Sequence, residues 1–178
     1  MIYVHLADGF EEVEAITVCD YLRRANIDAK FVSIKDKYVT GAHGITIESD
    51  LLFEDADYNS CQGIILPGGM PGTTNLLNHQ GLRNQLLKFN NECKLIGAIC
   101  AAPMILGDLG IIDNRHATIY SSMENYIQNS IYVDNTVVTD GNVITSKGPS
   151  TAVHFALKII EVLKNKDTSD SIARDILL

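Results

Sequence analysis

The chain has 178 residues, of which 46% are apolar and 20% charged, so it can build one domain with an ordinary core. Lys and Arg number 14 against 22 Asp and Glu, which gives a net charge of -8. Because phosphate-backbone binding depends on an excess of basic residues, we expect no sequence-specific nucleic acid binding. No apolar run reaches the roughly 18 residues of a membrane helix, and the N-terminus lacks a signal peptide's basic region. We therefore expect a cytoplasmic protein without a membrane segment.

The N-terminal part predicts one β-α-β unit followed by a hairpin. Ile2–Ala7 is an apolar run typical of a strand buried on both faces. Residues 11–25 carry apolar positions at three- and four-residue steps, with acids in the first turn and arginines in the last, which predicts a helix. Ala29–Ile34 predicts a second strand, parallel to the first. Tyr38–Glu48, with two glycines and alternating residues, predicts a small hairpin outside the main sheet.

Strands and helices continue to alternate along the rest of the chain. Gly63–Leu66 predicts a third buried strand, and the following Pro67–Gly72 is expected to support neither strand nor helix. Leu76–Phe89 predicts a helix and Lys94–Ile99 a fourth strand. The remaining predicted elements are a helix opened by Ala102 and Pro103, a strand at Ala117–Ile119, a hairpin through Asp140–Gly141 with the strand Val143–Thr145, and a last long helix from Ala152 to Leu163.

This alternation, without repeats or linkers, predicts a single α/β domain over residues 1–178 with a mostly parallel sheet. Ligands of such sheets bind at the carboxyl ends of the strands. Three features fall at that edge: Glu14 near the start of the first helix, the Gly68-Gly69 turn after the third strand, and Cys100 after the fourth.

The cysteines contain no Cys-x-x-Cys pair, so we predict neither a disulfide framework nor a metal site. Cys100 stands at a strand-to-helix turn, where free N–H groups and the positive helix end would lower the pKa of the thiol. A thiolate could then be populated near neutral pH. The alternative is a small buried residue, which is our expectation for Cys19, Cys61 and Cys93.

Glu14 lies in the second turn of the predicted first helix. A carboxyl partly desolvated there would have a raised pKa and could donate a hydrogen bond to a thiolate. The alternative is a solvated surface acid, which is what we expect of Glu11 and Glu12.

The two glycines after the third strand permit close backbone approach and positive φ. The N–H groups of Gly68 and Gly69, with that of Ala101, could form an oxyanion hole, and the alternative is a plain turn. The histidines lie outside any recognisable motif, and we expect exposed or satisfied, non-catalytic roles for His43, His79, His116 and His154.

Several blocks of sequence occur in a specific order: Gly9–Glu14, Ile64–Gly69, Ile96–Pro103, and Thr145–Thr151 with Phe155–Leu157. In that order they resemble the DJ-1/PfpI superfamily, specifically its DJ-1/ThiJ-like branch, over nearly the whole chain. The resemblance implies a flavodoxin-like three-layer α/β sandwich with a mostly parallel central sheet and an accessory hairpin. It also implies a homodimer.

The same resemblance implies roles for individual residues. Cys100 matches the reactive cysteine at the nucleophile elbow, and Glu14 matches the carboxylic acid that hydrogen-bonds it. Gly69 and Ala101 match the residues whose N–H groups face the substrate oxygen. Ala101 also stands where the protease-like branch has His, so we do not expect a peptidase. Tyr120 stands where many DJ-1-like members have His, which removes the familiar Cys-His pair.

Two functions follow from the resemblance. The first is a cofactor-independent lyase or hydrolase of the glyoxalase III or deglycase type, acting on α-oxoaldehydes such as methylglyoxal or on their early adducts with proteins or nucleotides. The second is a redox-responsive stress protein or chaperone in which Cys100 is oxidised to sulfinate and Glu14 stabilises the product. The motif fits both.

Overall fold

The apolar runs of the sequence lie side by side in one seven-stranded sheet of the computed structural model, which describes residues 1–178. In chain order the strands are β1 (Ile2–Leu6), β2 (Ala29–Ser33), β3 (Tyr38–Thr40), β4 (Thr46–Glu48), β5 (Leu51–Leu52), β6 (Gly63–Leu66), β7 (Leu95–Ile99), β8 (His116–Ala117), β9 (Ile131–Tyr132), β10 (Val137–Asp140) and β11 (Val143–Ser146). The helices are α1 (Glu12–Arg24), α2 (Gly72–Asn78), α3 (Gln80–Asn91), α4 (Pro103–Asp108), α5 (Ala152–Leu163) and α6 (Lys166–Asp175). None of these helices is both long and apolar enough to cross a membrane.

The strand order explains where a site can form. It runs β10-β11-β7-β6-β1-β2-β5, and every neighbouring pair is parallel except β10 and β11. From β1 the chain crosses through α1 to β2 on one side, then returns to β6 on the other side of β1. The order therefore reverses between β1 and β6, and ligands of open α/β sheets bind at the carboxyl ends of strands at such a reversal.

Helices cover both faces of the sheet and form two separate cores. Alternate residues of β6 point into different cores: Ile65 belongs to the core that includes residues of α1, α5 and α6, whereas Ile64 and Leu66 belong to the core that includes residues of α2, α3 and α4. The three layers confirm the predicted α/β sandwich. The predicted accessory hairpin is also present, since β3 and β4 pair antiparallel outside the main sheet.

Three predictions of secondary structure were wrong. The helix expected over Leu76–Phe89 is two helices, because the chain breaks at His79, whose Nδ1 accepts the Leu82 N–H at 3.1 Å and caps α3. Gly72, expected in a loop, begins α2. The strand expected at Ala117–Ile119 is the two-residue β8, which pairs with β9 apart from the main sheet.

The sequence pattern also missed α6. This helix begins at Lys166 and is capped by Asn165, whose side-chain oxygen accepts the Thr168 N–H at 2.9 Å. Only Ser169 and Ile172 of the helix are buried, so its apolar pattern is too thin to be recognised by periodicity.

Candidate active site

Cys100 sits on a strained turn directly after β7. Its φ is 61°, in the left-handed region that non-glycine residues rarely adopt. The Cys100 N–H donates to the Ser146 carbonyl at 3.0 Å, and the Tyr120 N–H donates to the Cys100 carbonyl at 2.9 Å. Backbone bonds on both sides therefore hold the strained conformation, a pattern that is concentrated at functional sites.

The two glycines after β6 are required by close contacts. A Cβ on Gly68 would lie 2.6 Å from the Cβ of Cys100 and 3.0 Å from its Sγ. Gly69 has a φ of 86°, and a Cβ there would collide with the backbone of Gly9, Phe10 and Glu11. The glycines let the turn pack against both the cysteine and the N-terminus of α1.

Glu14 is fully buried and lies in the first turn of α1, which begins at Glu12, rather than in the second turn as predicted. The Gly68 N–H donates to its Oε2 at 2.7 Å. Its Oε1 is buried without a hydrogen-bond partner, and the carboxyl group interacts with the adjacent Cys100 thiol. The structure therefore brings Glu14 and Cys100 together as neighbours, although no hydrogen bond of ordinary length joins them.

Burial raises the pKa of Glu14 to about 7, which confirms the raised pKa predicted from the sequence. The hydrogen bond from Gly68 and the interaction with Cys100 act in the opposite direction, and the charge of Glu11 adds to the increase. The carboxyl group is consequently protonated in a large part of the molecules near neutral pH.

The prediction of a low pKa for the Cys100 thiol was wrong, because this pKa is raised by burial and by the neighbouring Glu14 when it is ionised. Burial, followed by the negative charge of Glu14, raises the pKa of the Cys100 thiol to about 12. The N–H groups of Gly69 and Ala101 do lower it, as expected, but they are outweighed. Since the two groups disfavour a second negative charge, a thiolate at Cys100 is favoured only when the proton is on Glu14.

The backbone amides at the site divide into two roles. Those of Gly69 and Ala101 lie beside the Cys100 sulfur and favour a negative charge there. The amide of Gly68 does not take part, contrary to our expectation, because it is bound to Glu14. Gly68 therefore orients the acid rather than binding substrate.

Tyr120 reaches the site through its backbone alone. The residue is 47% exposed. The ring lies against Gly148, where a Cβ would be 3.4 Å from Cδ2. The structure thus places Tyr120 next to Cys100 through a backbone hydrogen bond.

Glu12 was expected to be solvated, and this was wrong. The residue is 2% exposed, and its Oε1 accepts the N–H groups of His43 at 2.7 Å and Ile45 at 3.4 Å. Its Oε2 lies 2.8 Å from the His43 Nδ1. Glu11 is also largely covered, with a side chain 13% exposed. The sequence offered no signal for this, since the partner histidine lies 31 residues away.

Glu11, Glu12 and His43 are also the three side chains whose possible metal-ligating atoms lie within 4.8 Å of one another. The His43 nitrogen and both Glu12 oxygens already take part in hydrogen bonds. Glu12 and His43 thus form a hydrogen-bonded contact, with Glu11 beside it.

The other cysteines lie apart from this site. Cys19 and Cys61 are buried as predicted, and burial raises the pKa of both thiols. Cys93 was expected in the core but is exposed, because it occupies a left-handed turn with a φ of 53° between α3 and β7. Two of the three predicted core thiols are confirmed.

Solved structures of high similarity share this whole architecture. The crystal structure of Drosophila melanogaster DJ-1beta superposes with a TM-score of 0.96 at 36% identity, covering 99% of this chain and 97% of that one. Oxidised DJ-1 of Toxoplasma gondii gives a TM-score of 0.94 at 32% identity, again covering 99% and 97% of the two chains.

Sequence relatives include proteins with named activities. The glutathione-independent glyoxalase DJR-1.2 of Caenorhabditis elegans is 34% identical over 94% of this chain and 90% of its own length. A deglycase of Pyrococcus abyssi is 31% identical over 70% and 74%. DJ-1 homolog A of Arabidopsis thaliana is 33% identical over 99% of this chain, which spans less than half, 46%, of that longer protein. A model of the DJ-1/PfpI family matches residues 1–162. This chain therefore belongs to the DJ-1/PfpI family.

Proposed function

We propose that the protein is a cofactor-independent enzyme that converts small α-oxoaldehydes such as methylglyoxal, or their early glycation adducts, to hydroxy acids. The observation that carries the proposal is the pairing of Cys100 with Glu14, a buried acid whose pKa of about 7 suits proton transfer near neutral pH. The glyoxalase and deglycase among the relatives support the substrate class.

The first half of the reaction forms a carbon–sulfur bond. The proton of the Cys100 thiol passes to Glu14, and the sulfur attacks the aldehyde carbon. The carbonyl oxygen takes the negative charge and is stabilised by the N–H groups of Gly69 and Ala101. Glu14 then returns its proton to that oxygen, which leaves a neutral hemithioacetal and an ionised carboxylate.

The second half moves a proton between the two carbons. The Glu14 carboxylate removes the proton from the former aldehyde carbon and delivers it to the neighbouring ketone carbon, through an enediol. In the same step the hydroxyl proton of the hemithioacetal moves to the former ketone oxygen, so that the first oxygen becomes the thioester carbonyl. The product is a thioester between Cys100 and a 2-hydroxy acid. Water hydrolyses this thioester and restores the thiol, so the sum is methylglyoxal plus water to lactic acid, without net oxidation.

Purified protein should therefore convert methylglyoxal to lactate in the absence of glutathione. Proton NMR is expected to show many turnovers per protein molecule, and heat-denatured protein serves as the control. Arginine treated with methylglyoxal provides the second substrate, and a rate above that of spontaneous adduct release would identify a deglycase. The enzymatic proposal fails if neither substrate gives lactate.

The redox-responsive stress protein or chaperone is the second candidate function. It is favoured by the oxidised form in which the similar Toxoplasma gondii protein was solved. A protonated Glu14 and two backbone N–H groups beside the sulfur would also stabilise a sulfinate at Cys100. The homodimer implied by the resemblance remains a proposal for either function.

Mild peroxide is expected to add two oxygens to Cys100 before it modifies the other cysteines. Cys93 is the informative competitor, because it is exposed whereas Cys19 and Cys61 are buried. Mass spectrometry of peptides after graded peroxide treatment measures the order. Oxidation of Cys93 ahead of Cys100 would show that exposure alone governs reactivity, and the redox proposal would lose its support.

A further inference from the structure

The β3–β4 hairpin is fastened to the first turn of α1 by a buried carboxylate. An ionised carboxylate is costly to bury unless it is paired and hydrogen-bonded. Burial acts to raise the pKa of Glu12, but its hydrogen bonds with the side chain and backbone of His43 outweigh that effect and lower the pKa. The partners of this buried charge come from the hairpin, at His43 and Ile45.

The hairpin is shaped to accept this carboxylate. Gly41 lies directly against it, and a Cβ at that position would collide with the Glu12 carboxyl group. His43 supplies two donors, its backbone N–H and its ring, and its ring pKa is raised by the hydrogen bond to Glu12 and the charge of Glu11. The contact thus depends on the length of the Glu12 side chain, whose Oε1 must reach two backbone N–H groups of the hairpin.

The segment between β1 and α1 connects the hairpin to the turn of Gly68 and Gly69 beside Cys100. On one side the hairpin bonds it, since the Gly9 N–H donates to Thr40 at 2.8 Å and the Ala42 N–H donates to Phe10 at 2.8 Å. On the other side the Glu11 N–H donates to the Gly68 carbonyl at 2.9 Å. The segment is therefore held between the hairpin and the turn that carries the Gly68 and Gly69 amides.

We propose that Glu12 is a positioning residue, which holds the first turn of α1 against the hairpin and thereby fixes Glu14 relative to Gly68 and Cys100. Glu14 follows Glu12 by two residues in the same helical turn, and its carboxyl is held by the Gly68 N–H. Displacements of about 1 Å can cost a hundredfold in rate, so a loosened turn would slow proton transfer. The part of this inference that concerns catalysis rests on the proposed function.

The test compares two conservative variants at one position. Glu12→Asp keeps the charge but is one methylene too short to reach the hairpin amides, whereas Glu12→Gln keeps the reach without the charge. Hydrogen exchange of the Gly68 amide reports the Glu14 contact directly and needs no enzymatic activity. We expect it to be about tenfold faster in Glu12→Asp and within about twofold of the wild type in Glu12→Gln, with Ile96 in β7 unchanged as an internal reference.

Kinetics with methylglyoxal supply the second readout. In Glu12→Asp, kcat is expected to fall about tenfold with KM nearly unchanged, because the lost interaction acts in the proton-transfer step. Glu12→Gln should retain most of the activity. Glu48→Asp is the matched control, since it shortens an exposed acid that pairs with Lys37 in the same hairpin without touching α1.

The outcomes separate this inference from the proposed function. If the wild type lacks turnover, the proposed function fails. Hydrogen exchange of the Gly68 amide still tests the role of Glu12 in that case, because it requires no activity. A Glu12→Gln variant as impaired as Glu12→Asp, or more so, would show that charge matters rather than reach, and would overturn the inference. Unchanged Gly68 exchange in Glu12→Asp would overturn it as well.

Discussion

Replacing Glu14 with glutamine is expected to abolish methylglyoxal turnover while leaving Cys100 open to alkylation. Glutamine has nearly the same shape and can still accept the Gly68 N–H, but it cannot carry a proton between two carbons. Loss of a general acid-base group typically lowers kcat by about 10²- to 10⁴-fold. Lactate formation and iodoacetamide labelling, measured on the same preparation, test the two halves of this expectation. Full activity in the variant would remove Glu14 from the mechanism.

The same variant should be more stable than the wild type at alkaline pH. The pKa of Glu14 rises from 4.5 to about 7 on folding, so the folded protein holds a proton that the unfolded chain has lost between these values. Stability therefore falls as the pH rises through this window, by about 1.4 kcal/mol per pH unit, to a total of about 3 kcal/mol. Glutamine avoids this loss.

Urea unfolding of both proteins at pH 5 and pH 8 measures this difference. The variant is expected to exceed the wild type clearly at pH 8 and by much less at pH 5. Parallel stability curves would mean that Glu14 does not bind its extra proton in the folded state, and the assignment of Glu14 as a proton carrier would then lose its physical basis.

Replacing Cys100 with serine is expected to lower turnover by about three orders of magnitude or more. A serine hydroxyl fits the same turn, but a carboxylate with a pKa near 7 is far too weak a base to ionise it. The variant should remain folded, because the two side chains differ by one atom. Circular dichroism and lactate formation check the two statements.

Cys93→Ser provides the matched control for that experiment. It makes the same chemical change at an exposed cysteine outside the site, so its turnover should equal that of the wild type. A Cys100→Ser variant with unchanged rates would end the enzymatic proposal. Equal losses in both variants would point to general thiol chemistry rather than to the site.

The parts of the fold that could be predicted are those whose causes are local. The strand Gly63–Leu66 has the predicted bounds, because a strand buried on both faces is an apolar run with sharp ends. The break at His79 could not be seen, because buried leucines stand on both sides of it, at Leu76 and Leu82, and no proline marks the end of α2. The break is made by the His79 side chain, which caps α3.

The site divides in the same way. Cys100 and Glu14 follow from where a strand ends and a helix begins, and the family resemblance identified them by position. The roles of Gly68 and Glu12 depend on hydrogen bonds between residues far apart in the chain. Gly68 bonds Glu14 across 54 residues and Glu12 bonds His43 across 31, and spacing along the sequence predicts neither contact. The pKa of the Cys100 thiol was misjudged for the same reason, since it depends on how deeply the folded chain buries the sulfur beside Glu14.

The left-handed backbone at Cys100 also restricts which side chains this position can accommodate. A φ of 61° is a genuine outlier for a β-branched side chain, whose second γ atom crowds the backbone there. Threonine is therefore excluded as a replacement nucleophile on conformational grounds. Cysteine and serine remain as unbranched candidates, and the weak base at Glu14 selects the thiol. For the proposed reaction, the shape of this turn and the weak base at Glu14 together favour a thiol over a hydroxyl at position 100.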